Sequence, residues 1–307
     1  MQTEPSTARP SLAADLLRSM RPNQWTKNAV VAAAFFFAVG DQSQSMDMLP
    51  AAGLTALAVL AFCLISSGVY AMNDLRDREA DRRHPEKQDR PIAAGRVRPL
   101  QAVVLSAALV MSGGVIAFRV GPAFSMAAGA YVALQIAYTL WLKRVPLVDI
   151  LLIAVGFVIR AGSGALALQV SISSWLLLCA FLLALFLAVC KRRHERELVA
   201  DGETGQRDVL QQYDLHLLDQ LASVTAAATI VAYAMYTLSP ATADKFHTRW
   251  MGATIPFVVF GIFRDLDLVY RHRQGGRPER VVLTDTPTLV NLALFGAAVL
   301  AVFAMGR

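Results

Sequence analysis

Carboxylates and an amide recur at close spacing in the run Asn73-Asp74-Leu75-Arg76-Asp77-Arg78-Glu79-Ala80-Asp81. Asn73, Asp77 and Asp81 stand four apart and Asp74 three before Asp77, so on a helix their side-chain oxygens share one face. Like charges crowded in this way repel, and a cation relieves the repulsion. Hard oxygen donors suit Mg²⁺, which typically keeps several waters and bridges to a substrate diphosphate. The run therefore predicts a metal–diphosphate site, with Asn73, Asp74, Asp77 and Asp81 as metal ligands and, through the metal, as the catalytic groups. The plainer reading is a solvated, charged helix end in which Arg76, Arg78, Arg82 and Arg83 pair with the acids. A further run close behind, Asp89-Arg90-Pro91-Ile92-Ala93-Ala94-Gly95-Arg96, favours the site.

Two sets of cations could meet phosphate. The segment Lys191-Arg192-Arg193-His194-Glu195-Arg196-Glu197 is followed by Arg207 and Tyr213. Arginine grips phosphate oxygens with a bidentate fork and lysine as a point charge, although such a run also serves as a positive anchor of membrane topology. Glu195 retains the option of a metal ligand. Arg160 stands alone within Gly156-Phe157-Val158-Ile159-Arg160-Ala161-Gly162-Ser163-Gly164. An ionised residue at the centre of a membrane span costs about 2.5 kcal/mol or more and so needs a partner. Asp149 is nearest in sequence but about three helical turns away; a substrate phosphate entering a polar intramembrane cavity is the other candidate. Gly156, Gly162 and Gly164 would let neighbouring helices approach.

The elements that must position these residues follow from composition. Of 307 residues, 55% are hydrophobic and only 17% charged, too few charges for an ordinary soluble domain. The apolar residues fall in long blocks near 25–40, 51–72, 100–118, 121–142, 147–168, 172–190, 220–238, 250–269 and 287–305. None of these blocks alternates in polarity, which excludes a transmembrane barrel and predicts an all-α, polytopic bundle of nine transmembrane helices. The leader before the first block is long, and no small-residue cleavage site follows, so that span is expected to be retained. Cys63, Cys179 and Cys190 lie singly in apolar blocks and read as packing residues.

Lysine and arginine collect on one side of this layout. Only Arg119, Lys245, Arg249 and Arg307 fall on the other side, and Arg160 lies within a span. The positive side faces the cytoplasm, so the N-terminus is expected inside and the C-terminus outside a plasma (inner) membrane. Residues 1–24 form a cytoplasmic segment and 25–307 a single transmembrane catalytic domain, with cytoplasmic loops near 73–99, 191–219 and 270–286. The net charge of +6 thus meets anionic headgroups or an anionic substrate at one membrane face. No separate basic domain suits nucleic acid. A transporter would fit an intramembrane arginine, but no inverted repeat is visible and the polar residues gather at one face. Glycine-rich spans suit packing within a chain or between copies, so a homo-oligomer stays open.

The acid run, the Asp89–Arg96 segment and the opening Arg21-Pro22-Asn23-Gln24-Trp25-Thr26-Lys27-Asn28 together resemble the UbiA superfamily of intramembrane prenyltransferases. Its members carry an N-D-x-x-D-x-x-x-D motif after the second of nine helices, a D-R-P-I-x-x-G-R-V-like segment and an R-P-x-x-W-x-K-N start. The resemblance covers essentially the whole chain and implies a UbiA-like bundle with a cytoplasm-facing polar cavity. Members that prenylate aromatic rings carry a second motif, D-x-x-x-D, between spans six and seven. Here the basic cluster replaces it. That departure resembles the decaprenyl-phosphate phosphoribosyltransferase branch, which implies 5-phosphoribosyl 1-diphosphate as donor, decaprenyl phosphate as acceptor, Mg²⁺ as cofactor, and a product used in building cell-wall arabinan. On this reading Lys27, Arg82, Arg90, Lys191, Arg192, Arg193 and Arg207 are candidates for gripping the ribose 5-phosphate, the diphosphate or the lipid headgroup, and Arg160 for a substrate phosphate. Tyr70, Tyr138 and Tyr213 could hydrogen-bond phosphate or ribose, while His84 reads as solvated. An aromatic-ring polyprenyltransferase using a polyprenyl diphosphate donor fits the first acid motif but not the loss of the second.

Overall fold

A computed structural model describes residues 11–40, 46–84, 87–200, 208–272, 275–276, 281 and 283–306. Among them every regular element is helical. Seven helices are long and apolar enough to cross a membrane: α3 (Met48–Arg76), α5 (Pro99–Val120), α6 (Pro122–Leu140), α7 (Val148–Leu168), α8 (Ser174–Ala200), α9 (Leu215–Leu238) and α12 (Thr286–Met305). The first and eighth apolar blocks take a different form. Block one is a 3₁₀ helix, Pro22–Ala32, running into α2 (Ala33–Gly40), and block eight a short 3₁₀ turn, Trp250–Thr254, running into α11 (Ile255–Tyr270). Short helices complete the chain: α1 (Leu12–Ser19), α4 (Arg78–Arg82) and α10 (Pro240–Phe246).

An 11-residue 3₁₀ helix is unusual, since its hydrogen bonds are poorer than those of an α-helix and runs beyond three or four residues are uncommon. Side chains explain it. At three residues per turn, Trp25, Asn28 and Val31 line one face. Trp25 Nε1 donates to Ser67 Oγ at 3.0 Å, and Asn28 Nδ2 donates to Ser66 Oγ at 3.2 Å and to Cys63 Sγ at 3.3 Å, all on α3. Val31 is fully buried, and its carbonyl backs onto α7 at Gly164, where an added Cβ would lie 1.9 Å from the Val31 oxygen. Of the three glycines expected to admit a neighbour, Gly164 alone does so. A Cβ on Gly156 would meet only ordinary contacts and one on Gly162 nothing within 4 Å. The α3–α5 pair is close for a similar reason: Ser106 Oγ donates to Gly68 O at 2.8 Å, and a Cβ on Gly113 would crowd Ile65 and the Ala61 carbonyl.

Helix starts are marked by proline at the first turn of α5, α6, α10 and α12, where its missing N–H is not needed. Two apolar clusters hold the bundle. One joins α3, α5 and α6 around Phe62, Phe124 and Tyr131; the other joins α7, α8, α9 and α11 around Ile150, Phe186, Leu218 and Val269. The cysteines are buried and free, in keeping with a packing role. At the head of α12, Asp285 accepts from Thr288 N and Oγ1 at 3.0 and 2.7 Å and from the Arg264 fork at 3.1 and 2.8 Å. The Arg264 hydrogen bonds hold its carboxyl well below the usual range.

Two outcomes follow. Gly164→Ala should destabilise the protein by about 1–3 kcal/mol through overpacking, whereas Gly162→Ala should be neutral or stabilise by up to about 1 kcal/mol; thermal unfolding in detergent separates them. Because the folded-state pKa of Asp285 is depressed, its contribution is present above the unfolded carboxylate value of about 4 and is lost as pH falls through the folded value. Asp285→Asn should therefore melt below wild type at pH 7, and the gap should close as the solution is taken below about pH 4.

Candidate active site

The α3 helix carries the acid motif to its end. It closes at Arg76, Asp77 sits at φ −87° and ψ 5°, and α4 resumes at Arg78. The expected unbroken helical extension is thus kinked at Asp77, although Asp77 N still donates to Asn73 O and Asp81 N to Asp77 O. The cause lies in what each acid faces. Asp74 is buried and accepts from Arg21, at 3.1 Å through Nε and also through Nη2, and from Arg90 Nη1 at 3.2 Å. The same Arg90 nitrogen donates to buried Asp81 at 2.7 Å. Asp77 turns instead to Lys143 Nζ, 2.5 Å away. The four ligand candidates therefore do not share one face: Asp74 and Asp81 converge on Arg90, and Asp77 on a lysine of the α6–α7 connection.

The cations are held by built structure. Arg21 follows α1 with a left-handed φ of 54° and lies 5.5 Å over the Tyr70 ring. The 89–97 segment, with Ile92, Ala93 and Val97 buried beside Ala71 and Ala102, is fixed by Arg82 Nε donating to Ala93 O at 2.8 Å and by Arg96 reaching buried Asp15 of α1 at 3.1 Å. Burial first, and Arg21 alongside it, lower the Arg90 guanidinium from its ordinary value. Arg82 is thus tied to the loop backbone and to Glu79. His84 is buried, contrary to the solvated position expected for a charged loop.

Among the described residues no three acidic, histidine or cysteine side chains stand close enough to hold a metal ion together. The donor chemistry nevertheless fits a hard divalent ion. Asn73 Oδ1 is buried without a hydrogen-bond partner, an expensive state for an amide oxygen, and it lies one helical turn from Asp77. Arg90 and Lys143 carry the positive charge that these carboxylates require.

A second polar centre forms where α6, α7 and α8 meet. Arg192, fully buried, donates through Nε to Asp149 at 2.6 Å, through Nη1 to Glu195, and through Nη2 to Tyr138 Oη at 3.2 Å. Tyr213 Oη donates to Asp149 Oδ1 at 2.5 Å and accepts from Leu147 N at 2.6 Å, pinning a non-glycine residue at φ 66° ahead of α7. Burial, reinforced by the bond to Asp149, pushes the Tyr213 phenol up. Arg192, Glu195, Tyr138 and Tyr213, separate candidates in the sequence, are thus brought together, and Arg192 is surrounded by two carboxylates and a phenol. Arg193 goes elsewhere: it donates to Asp219 at 2.6 Å and Glu197 at 3.1 Å and stacks over Tyr270. Lys191 on α8 and Lys27 on the 3₁₀ helix are half-buried. Arg207 lies outside the described residues.

Arg160 sits deep in α7 and is 4% exposed. Its Nη2 donates to Tyr131 Oη, its Nη1 contacts Gly156 O at 3.4 Å, and the guanidinium lies 4.5 Å over the Tyr131 ring and 5.3 Å from Phe157. Nε is buried without a partner, and Asp149 belongs to Arg192. Rings attract a cation by about 0.5–2 kcal/mol but leave its charge in place.

Sequence reasoning passed over Arg21, Lys143 and Asp149 as site residues. Arg21 entered only as part of an opening motif, Lys143 not at all, and Asp149 only as a distant partner for Arg160. The single available signal was an acid placed in an otherwise apolar block.

Comparison with known proteins shows the family and the fold. The UbiA prenyltransferase family model matches residues 29–284. A decaprenyl-phosphate phosphoribosyltransferase of Mycolicibacterium smegmatis is 33% identical over 292 residues, 92% of this chain and 91% of the relative. The protein of that name from Corynebacterium glutamicum is 33% identical, covering 96% of this chain and 89% of the relative, and the one from Mycobacterium tuberculosis 31%, covering 94% and 95%. A UbiA homolog from Archaeoglobus fulgidus, solved bound to DMAPP and Mg²⁺, superposes with a TM-score of 0.69 at 19% identity, covering 94% of this chain and 99% of that one; that likeness concerns the fold. With its seven long apolar helices this is a multi-pass membrane protein, and it belongs to the UbiA prenyltransferase family.

Proposed function

We propose that this protein transfers the 5-phosphoribosyl group from phosphoribosyl diphosphate to decaprenyl phosphate, releasing diphosphate and forming decaprenylphosphoryl 5-phosphoribose for cell-wall arabinan synthesis. The observation that carries the reading is the basic cluster that stands between spans six and seven in place of the second acid motif of ring-prenylating relatives, with its buried Arg192 paired to Asp149 and Glu195. One metal-binding acid motif remains, beside a surplus of cations suited to two phosphate-bearing substrates. Relatives with the phosphoribosyltransferase name, matched over most of both chains, support it.

On this reading Asn73, Asp74, Asp77 and Asp81 would hold Mg²⁺, which when bound makes the donor's diphosphate a better leaving group. The chain's own residues do the rest. Asp77 and Asp81 would hold the metal, and Lys143 and Arg90, which stand beside them, would contact the diphosphate oxygens. Arg21 stays on Asp74, and Lys27, Arg82 and Lys191 are further candidates for phosphate contacts. Tyr138 and Tyr213, fixed by Arg192 and Asp149, are candidates for hydrogen bonds to phosphate or ribose. As the ribosyl C1–O bond breaks, its electron pair leaves with the diphosphate, and a lipid phosphate oxygen bonds to C1 from the opposite face. The nucleophile is already an anion, so no general base is required. The distribution of lysine and arginine supports nine spans, with the composite first and eighth segments included, and a cavity open to the cytoplasm.

The aromatic-ring alternative has no second acid motif to support it. The deciding assay uses purified protein in detergent with radiolabelled phosphoribosyl diphosphate, a long-chain polyprenyl phosphate and Mg²⁺. Label should enter the organic phase, vanish with EDTA, and fall by about a thousandfold in Asp77→Ala, the scale of a metal contribution of several kcal/mol. Transfer of a polyprenyl chain from its diphosphate to an aromatic acid, without label transfer, would overturn the assignment.

A further inference from the structure

The intramembrane arginine is not explained by the diphosphate site. Arg160 is eleven residues beyond Asp149 on α7, about 16 Å deeper along the helix at 1.5 Å per residue. The same descent appears on α6, where Tyr138 meets Arg192 and Tyr131, seven residues and about 10 Å away, meets Arg160. Gln135 lies between them on the same face and donates to Tyr131 Oη at 2.7 Å. On α3, Asn73, Tyr70, Ser67, Ser66 and Cys63 follow at helical spacing, and Ser67, Ser66 and Cys63 accept from Trp25 and Asn28 of the 3₁₀ helix. A polar lane thus descends from the acid motif to Arg160.

Two buried groups near the foot of this lane lack partners. Arg160 Nε is a donor without an acceptor, and Asn28 Oδ1 an acceptor without a donor, in side chains 4% and 1% exposed. Cys63 links them: its thiol accepts from Asn28 Nδ2 at 3.3 Å and lies within electrostatic reach of Arg160. Among the described residues no carboxylate neutralises Arg160. A buried cation beside a free acceptor matches a phosphate monoester, which offers several acceptor oxygens and, as a monoanion, one O–H.

We infer that Arg160, oriented by Tyr131 and Gln135, binds the phosphate of the lipid acceptor. The inference rests on the phosphoribosyl-transfer reading and deepens it through the stereochemistry of displacement. If the acid motif holds the leaving diphosphate, the bond forming at C1 lies on the far side, toward the membrane interior. Arg160 is the cation on that side. The lipid phosphate oxygen forms the new bond to C1, the C1–O bond to diphosphate breaks with its electron pair, and the remaining proton of a monoanionic lipid phosphate passes to the departing diphosphate or to water, because the diester product is ionised. The apolar tail remains in the bilayer while its head is drawn below the headgroup layer.

The test compares wild type, Arg160→Gln, Arg160→Lys and Tyr131→Phe, all full-length in detergent. For each, direct binding of a long-chain polyprenyl phosphate is measured against the polyprenol with the same tail, together with KM for phosphoribosyl diphosphate. Arg160→Gln should weaken polyprenyl phosphate binding by about 10- to 100-fold, the scale of a charged hydrogen bond, leave polyprenol binding unchanged and hold the donor KM within about twofold. Arg160→Lys should recover part of the loss. A raised donor KM with unchanged lipid binding would assign the guanidinium to the ribose 5-phosphate, and no change in either would make it a structural cation; both overturn the inference. If Arg160→Gln elutes as an aggregate, Tyr131→Phe decides: a selective loss for the phosphorylated lipid supports the site, and equal loss for polyprenol refutes it. Should wild type bind polyprenyl phosphate over polyprenol through Arg160 yet transfer no ribosyl group, the reaction assignment falls and the phosphate site stands.

Discussion

The Arg90 guanidinium, held between Asp74 and Asp81, is the contact on which the acid motif depends. Two buried carboxylates this close repel unless a cation stands between them, and a single arginine nitrogen meets both, at 3.2 and 2.7 Å. That demand organises the surrounding chain. The 89–97 segment folds back on α3 to deliver Arg90, and Arg96 ties the segment to Asp15 of α1. The residue after α1 and its capping turn adopts a left-handed conformation and brings Arg21 onto Asp74. Four separate stretches are thus tied to one charge cluster.

The second centre inverts the arrangement, with one arginine between two acids. Arg192 is fully buried, and removing a single partner from such a pair typically costs about 3–5 kcal/mol. It is therefore fixed, whereas Arg90 and Lys143 are partly exposed or face a partly exposed acid. One centre is a rigid wall that sets the positions of Tyr138 and Tyr213. The other is a set of acids whose counter-cations, Arg90 and Lys143, would stand beside a metal and its diphosphate on the proposed reading.

The acid motif, the basic cluster and the long apolar blocks were legible in the sequence because each is local: helical spacing groups the acids, and span length follows from bilayer thickness. The break at Asp77 was not, because no glycine or proline marks it; it arises from Lys143, 66 residues away, drawing one acid aside. Nor was the pairing of Asp149 with Arg192, 43 residues apart. The long 3₁₀ helix escaped for a related reason, since its cause is a row of contacts to α3 and α7, not its own propensity. Gly164 was legible as a small residue, but which backbone it admitted was set by the position of Val31.

A membrane enzyme joining a water-soluble diphosphate to a lipid phosphate must hold two anions in line without letting their charges oppose each other. Placing both at one basic surface would leave the attacking oxygen beside the leaving group. The polar lane along α6 and α3 separates them by depth. The acid motif, proposed to bind the diphosphate through a metal, stands at one end, and Arg160 stands at the other. A deep cation is costly, and the aromatic faces of Tyr131 and Phe157 hold Arg160 without neutralising it. On the proposed reading the acceptor phosphate would supply the missing charge, so that the buried cation becomes the strongest attraction for the acceptor.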